Sequence, residues 1–461
     1  LKIISFGGIG VLAGILVAAT LIEHFCGSLF AVEYIYHSWW FIVLWALLAV
    51  TAIAYILCSS KRYALILLHA SFVMVLLGAF VSFLTSKRGD LTISENGAPA
   101  SMFEMSDGRL EKLPFRLQLT AVDTVRVKGG EAVGNYIVHI VAVDKAGESA
   151  HIVSLNNPTK IAGYQLCIKG VQKEGVSLLV SYDSFGRPIS YLGYAMVFIS
   201  FLLLFFDKKS GFNALLQQMR KENRKKSRKV KKKFWHGGNK IWGMLLCVLM
   251  IFCLLWYGRG VFPATNGNEA LMLLAFFVTL LAIVLRRKKH FVALKRTLLI
   301  VAVIIYLVAA YNFDVDQNVQ PILRTPLLGI HVTTIIIAYA LLTCTAINAI
   351  IALCTKNDEK RAMQALLGRA LLYPATMLLA TGIFIGAVWA NISWGRYWGW
   401  DPKEVWALIT LLLCSVAFHT RSLRFISKPV TFHIFCIVAF VAVLFTYFGV
   451  NYLLGGLHSY A

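Results

Sequence analysis

Residues 63–85 read YALILLHASFVMVLLGAFVSFLT, and this stretch decides the fold. It runs from Tyr63 to Thr85 without one Lys, Arg, Asp or Glu. At a helical rise of about 1.5 Å per residue it covers about 34 Å, more than the roughly 30 Å hydrocarbon core of a bilayer. A run of that length and composition reads as a membrane span. Further runs qualify or nearly do, at about 3–22, 39–58, 189–206, 241–258, 269–285, 296–312, 328–354, 370–390, 404–420 and 430–450. The chain of 461 residues is 58% hydrophobic, with a mean hydropathy of +0.70. Soluble globular domains are only about 45–50% apolar. The expected class is therefore an all-α polytopic membrane protein of about 11 transmembrane helices, with lipid as the solvent for most of it. Because the first run already has spanning length, a cleaved signal peptide is not expected there. With Leu1 where a Met would stand, a few residues are expected to precede it.

A formal charge of +23 raises the question of nucleic acid, but the 45 Lys and Arg are confined to a few loops. Placing the N-terminus inside gives the cytoplasmic segments 29 basic and four acidic residues, and the outer segments 16 basic and 18 acidic. That asymmetry is the positive-inside pattern. The run 221–233, KENRKKSRKVKKK, then reads as a cytoplasmic linker held at an anionic leaflet, and no nucleic acid is expected as a partner. It divides the chain into a first part (1–206), a linker (207–240) and a second part (241–461). Residues 86–188 are polar, fall outside, and alternate as strands do in 115–120 (FRLQLT) and 136–143 (YIVHIVAV). One small extracytoplasmic β domain is expected there, with turns at 128–130 (KGG) and 156–158 (NNP). Nine cysteines are scattered with no CxxC pair and no CxxCH, which excludes a cysteine metal framework and a c-type cytochrome.

The unusual chemistry lies in 394–406, WGRYWGWDPKEVW, in an outer loop between the ninth and tenth runs. Trp394, Tyr397, Trp398, Trp400 and Trp406 resemble an interfacial aromatic belt. A passive belt, however, needs neither the two glycines nor Arg396, Asp401, Lys403 and Glu404. Such a surface suits a flat apolar ligand with charged substituents. Asp401-Pro402 ahead of Glu404 reads as a helix N-terminus with Asp401 as its cap. Four histidines sort by depth into two pairs. His331, at the outer start of the eighth run, and His458, beyond the outer end of the eleventh, share the level of the tryptophan loop. His69, about 9 Å into the third run by helical rise, and His419, at the inner end of the tenth, share the other leaflet. Polar groups inside spans are functional candidates, and two such pairs suggest bis-imidazole iron sites. His433 rivals the inner pair. His24, His37, His139, His151, His236 and His290 receive no role.

Residues 394–404 match the WGxxWxWDxxE core of the WWD haem-handling proteins, and the whole arrangement resembles a CcsBA-type fusion, the System II cytochrome c synthase. Residues 263–269 (PATNGNE), 321–332 (PILRTPLLGIHV), 419–421 (HTR) and 449–460 (GVNYLLGGLHSY) agree with its CcsA-like part. The layout of the first 206 residues, with His69 among Leu-Leu-His-Ala-Ser, agrees with its CcsB-like part. The resemblance implies haem b as substrate and ligand, moved from an inner site at His69 and His419 to an outer one at His331 and His458. There Trp394, Tyr397, Trp398, Trp400, Asp401 and Glu404 hold the macrocycle while its vinyl groups form thioethers with the cysteines of a CxxCH motif. The implied partners are haem, apocytochrome c, a thiol-reducing system of the outer compartment and the bilayer. The implied location is a bacterial inner membrane, with the N-terminus cytoplasmic and the loop and C-terminus periplasmic. Arg396, Arg324 and Lys403 are the propionate partners to test. A haem exporter without ligation activity, a b-type respiratory subunit and a scaffold remain the alternatives.

Overall fold

The computed structural model describes residues 2–58, 63–95, 97–126, 133–172, 175–227, 250, 253–254, 257–258, 262–285, 291–311, 320–420 and 422–454. Helices α1 (Lys2–Cys26), α2 (Trp39–Cys58) and α3 (Tyr63–Thr85) precede the β domain. After it come α4 (Gly186–Phe206), α5 (Gly211–Ser227), α6 (Gly267–Val284) and α7 (Val292–Tyr311). The chain ends with α8 (Pro326–Leu353), α9 (Asp358–Trp394), α10 (Pro402–Val416) and α11 (Pro429–Leu444), the last continued by a π-helix over Phe445–Leu454.

Among the described residues nine helices are long and apolar enough to cross a membrane, two fewer than the runs in the sequence. The run at 241–258 lies for the most part outside the described residues. The run at 404–420 becomes α10, whose 15 residues reach about 22 Å at the helical rise, short of a bilayer core. Hydropathy counts residues through to 420, whereas the backbone turns off the helix at 417–420, where Phe418 and His419 donate to Ser415 and Val416, and Leu423 donates to His419. By contrast α9 has 37 residues, about 55 Å, and overreaches the bilayer to meet the β domain.

Burial separates the helices by role. Only 11% of the apolar windows of α2 and α3 is buried, against 72% for α8, which packs between α6, α9 and α11. Apolar faces left open on α2 and α3, such as Leu57 and Phe80, are surfaces for lipid. α3 and α4 pack closely through small residues. A Cβ on Gly78 would lie 2.3 Å from Ser190 Oγ, one on Gly186 2.1 Å from Ser82 Oγ, and one on Gly193 2.7 Å from Val75 Cγ2. Small residues at such spacing are how helices approach each other where lipid removes the hydrophobic drive.

The β domain is an eight-stranded antiparallel sheet: β1 (Lys87–Ile93), β2 (Ala100–Met105), β3 (Leu110–Arg126), β4 (Val133–Asp144), β5 (Gly147–Ser154), β6 (Thr159–Ile161), β7 (Tyr164–Gln172) and β8 (Gly175–Tyr182), ordered β5-β4-β3-β2-β1-β8-β7-β6. Because β1 follows α3, β8 precedes α4, and β1 pairs with β8, the domain grows from the α3–α4 pair as one stalk. β5 at one edge lies against β6 and β7 at the other, so the sheet rolls around one apolar core. The alternation read from the sequence places Phe115, Leu117, Leu119, Val138, Ile140 and Ala142 in that core. Asn156 takes a positive φ of 60° in the expected turn, while 128–130 lie outside the described residues.

Candidate functional site

The tryptophan loop is held at both ends by local chemistry. Gly395 closes α9 in the left-handed region at φ 65°, its N–H donating to Asn391 O. A Cβ there would stand 2.7 Å from Leu179 Cδ2 on β8, so glycine serves both the turn and the close approach. At the other end Asp401 caps α10, accepting from Lys403 N at 3.0 Å, with Pro402 in the first turn and a complete capping box. Glu404 Oε2 accepts from Gly399 N at 2.8 Å and Asp401 N at 3.3 Å. These contacts commit Asp401 and Glu404 to the shape of the loop. Between the ends, Trp400 takes a positive φ of 57°, which strains a bulky residue.

Other parts of the chain complete the mounting. Trp400 stacks on Tyr36, ring centroids 4.6 Å apart and planes within 6°, and Trp398 stands edge-on to Trp400 at 5.8 Å. Tyr397 is a peg into the α3–α4 seam. Ser82 Oγ donates to Asp183 Oδ2 at 2.6 Å, so the 2.8 Å contact between Ser82 Oγ and Tyr397 has the phenol as donor. Ser190 donates to the same phenol at 3.2 Å. Trp406 Nε1 donates to Thr20 on α1 at 3.1 Å, and Lys403 Nζ donates to Asn451 Oδ1 at 2.8 Å.

The β domain grips the last turn of α9, whose carbonyls have no partner within the helix. Gln165 Nε2 donates to Asn391 O at 2.7 Å, Cys167 Sγ to Ile392 O at 3.6 Å, and Arg88 Nη2 to Trp394 O at 3.3 Å. Ser393 Oγ donates to Asn156 Oδ1 at 2.5 Å. Nothing local in 86–188 signals this role, because the partners lie more than 200 residues away.

One of the two expected histidine pairs meets. His69 and His419 have ring centroids 6.3 Å apart and planes at 89°. Each Nδ1 faces a carbonyl of its own helical turn, Leu65 at 2.8 Å and Ser415 at 3.0 Å. A carbonyl accepts only, so the proton sits on Nδ1 and each Nε2 is left with the lone pair that a metal takes. With each nitrogen about 2 Å from a shared iron and each ring centre roughly 1 Å further, the centroids of two ligating imidazoles stand about 6 Å apart. The pair fits that requirement. Tyr55, 4.3 Å from His69, and Phe6, 5.2 Å from His419, flank it. His433, the rival, is buried elsewhere with Nε2 3.4 Å from Arg361 O.

One cavity of about 3830 Å³ is lined by His69, His419 and Tyr55 and also by Arg396, Trp398 and Trp400. Ser82, where the loop is pegged, lies thirteen residues beyond His69 on α3, about 20 Å by helical rise. The cavity therefore runs most of the depth of a bilayer core. His331 packs against α9: its Nδ1 donates to Gly382 O at 2.7 Å, and a Cβ on Gly386 would lie 2.6 Å from its ring. His458 lies outside the described residues. Arg324 follows the turn Pro321–Leu323, from which Leu323 packs with Trp389 and Trp394.

Residues 264–458 match the cytochrome C assembly protein family and residues 58–190 the ResB-like family. The chain is 36% identical over 169 residues to Protein NrfI of Wolinella succinogenes, covering 34% of this chain and 19% of that protein. It is 34% identical over 236 residues to the cytochrome c biogenesis protein CcsA of Chlamydomonas reinhardtii, covering 47% of this chain and 65% of that one. For CcsA of Guillardia theta the figures are 28% over 267 residues, 50% and 88%. The chain thus spans less than two thirds of the first two relatives.

Proposed function

The chain joins a ResB-like part to a cytochrome c assembly part, the make-up of a fused CcsBA-type protein, and from that premise we propose that it is a cytochrome c synthase. Haem b is the substrate, and it passes from the inner pair His69 and His419 to the tryptophan loop. The single observation that carries this reading is the cavity reaching from two imidazoles at iron-ligating separation to an indole-lined shelf. Trp394, Trp398 and Trp400 form the shelf, Tyr397, Asp401 and Glu404 fix its shape, and His331 and His458 hold the iron there. Fixing the porphyrin plane with its vinyl edge open removes most of the entropy cost of the encounter with a peptide thiol. In the ligation step the cysteine sulfur bonds to the inner vinyl carbon and the thiol proton ends on the outer one, with no net redox change. The proposed setting is a bacterial inner membrane, with the loop on the periplasmic side and a thiol-reducing system keeping the apocytochrome cysteines free.

The test is purified protein incubated with reduced haem and a CxxCH peptide. A covalent haem–peptide adduct, read by mass and by the pyridine haemochrome spectrum, is expected. Bound haem without adduct reduces the protein to a haem exporter, and rapid reversible electron exchange with a quinone turns the reading to a b-type respiratory subunit.

A further inference from the structure

Two arginines from different parts of the chain meet on the wall of this cavity. Arg88 stands on β1, three residues beyond α3, and Arg396 on the tryptophan loop; both line the cavity. The bond from Arg88 to Trp394 O places its guanidinium against the loop. Arg396 lies flat over Gly399, where a Cβ would come within 2.6 Å of its Cζ. Both side chains are half-buried, and among the described residues neither forms an ion pair with a carboxylate. The nearby acids are engaged, Asp90 by Lys169 at 2.5 Å and Glu404 by the loop N–H groups. Burial and the neighbouring Arg396 push the Arg88 guanidinium down to about 10. Ser181, the cross-strand neighbour of Arg88, lines the same cavity, is 3% exposed, and its hydroxyl has no hydrogen-bond partner among the described residues.

Two like charges held on one wall and partly withdrawn from water, beside an unsatisfied buried hydroxyl, cost free energy unless an anion joins them. We infer that Arg88, Ser181 and Arg396 form a carboxylate cradle for the paired propionates of the macrocycle, so that the ResB-like part contacts the substrate directly. The guanidinium fork suits this task, since it meets a carboxylate through two parallel N–H bonds. The inference rests on the haem-handling reading and adds the part of the substrate that the cradle grips.

The test uses the full chain in nanodiscs, titrated with iron protoporphyrin IX and with its dimethyl ester, in wild type, Arg88→Gln and Arg396→Gln. Wild type is expected to bind the diacid about ten- to a hundredfold more tightly than the ester, the worth of a desolvated charge-assisted contact. Either variant then loses that advantage, while ester affinity stays within about twofold. Equal wild-type affinity for the two porphyrins overturns the cradle and leaves the haem-handling reading standing. A variant that weakens diacid and ester alike marks a structural role and also overturns it. Discrimination seen in phosphatidylcholine discs but lost in phosphatidylglycerol discs assigns the cradle to a lipid phosphate, against the proposal. Failure of wild type to bind either porphyrin overturns the haem-handling reading itself.

Discussion

Replacing Gln165 by leucine removes the joint between the β domain and the tryptophan loop at nearly constant volume. Gln165 is 1% exposed. Its amide nitrogen donates to Asn391 O at 2.7 Å and its amide oxygen accepts from Arg187 Nη1 at 2.6 Å. Asn391 O keeps a second donor in Gly395 N, so its loss is small. Arg187, 8% exposed, loses the acceptor for a buried charge. That term dominates, and the cost is about 2–3 kcal/mol. The Arg187 loss falls on the β domain and α4, whereas only the lost bond to Asn391 O bears on docking of the loop, at about 1 kcal/mol, so the docked state weakens roughly fivefold. Hydrogen exchange read by mass spectrometry should show protection falling by that order at residues 391–396 with α3 unchanged. Gln165→Glu separates the terms: it keeps the Arg187 contact but sets a carboxylate oxygen against Asn391 O, so the loop loosens while the β domain holds. Unaltered exchange at 391–396 in Gln165→Leu, alongside a lower melting temperature, would refute the joint and leave Gln165 as a residue of the β domain alone.

His69→Ala and His419→Ala should each abolish the bis-imidazole absorption of the inner site, whereas His433→Ala leaves it intact; loss of the signal in His433→Ala would return that residue to the ligand set. Gly386→Ala, which replaces no proposed ligand, drives a methyl to within 2.6 Å of the His331 ring and should perturb the outer-site haem spectrum while sparing the inner one. A spectrum identical to wild type would show that the position of His331 does not matter there. Burial pushes Lys403, in the first turn of α10, down to about 8, below its unfolded value of about 10.4. Between those values the unfolded chain binds the additional proton, so this residue makes stability rise with pH across that window and fall as pH drops through it. Thermal melts from about pH 7.5 to 10 should lose that component of slope in Lys403→Met. A slope unchanged by the substitution would show that Lys403 keeps its charge at no cost.

Much of the site was legible where the signal is local. The capping role of Asp401 follows from Asp-Pro-x-Glu, which carries its hydrogen bonds within one helical turn. The inward set of β3 and β4 follows from a two-residue period. The length of α10 was not legible, because hydropathy sums residues and does not see where backbone hydrogen bonds stop. Nor was the role of the β domain: Gln165, Arg88 and Ser181 carry no motif, and their meaning lies in carbonyls and a cavity wall supplied by distant segments.

The amino-acid sequence alone determined a lipid-solvated helical protein with a strand-forming insert and a tryptophan-rich loop set on a helix N-terminus. Those features arise from transfer free energies and backbone periodicities that act within about twenty residues. Tertiary structure alone decided that His419, and not His433, meets His69, that Tyr36 supports Trp400, and that the β domain holds the end of α9. Helices in lipid gain nothing from hydrophobicity by choosing one neighbour over another. Small-residue seams such as that at Gly78 and Gly186, together with a few buried hydrogen bonds, make the choice, and these become visible only once the helices are in contact.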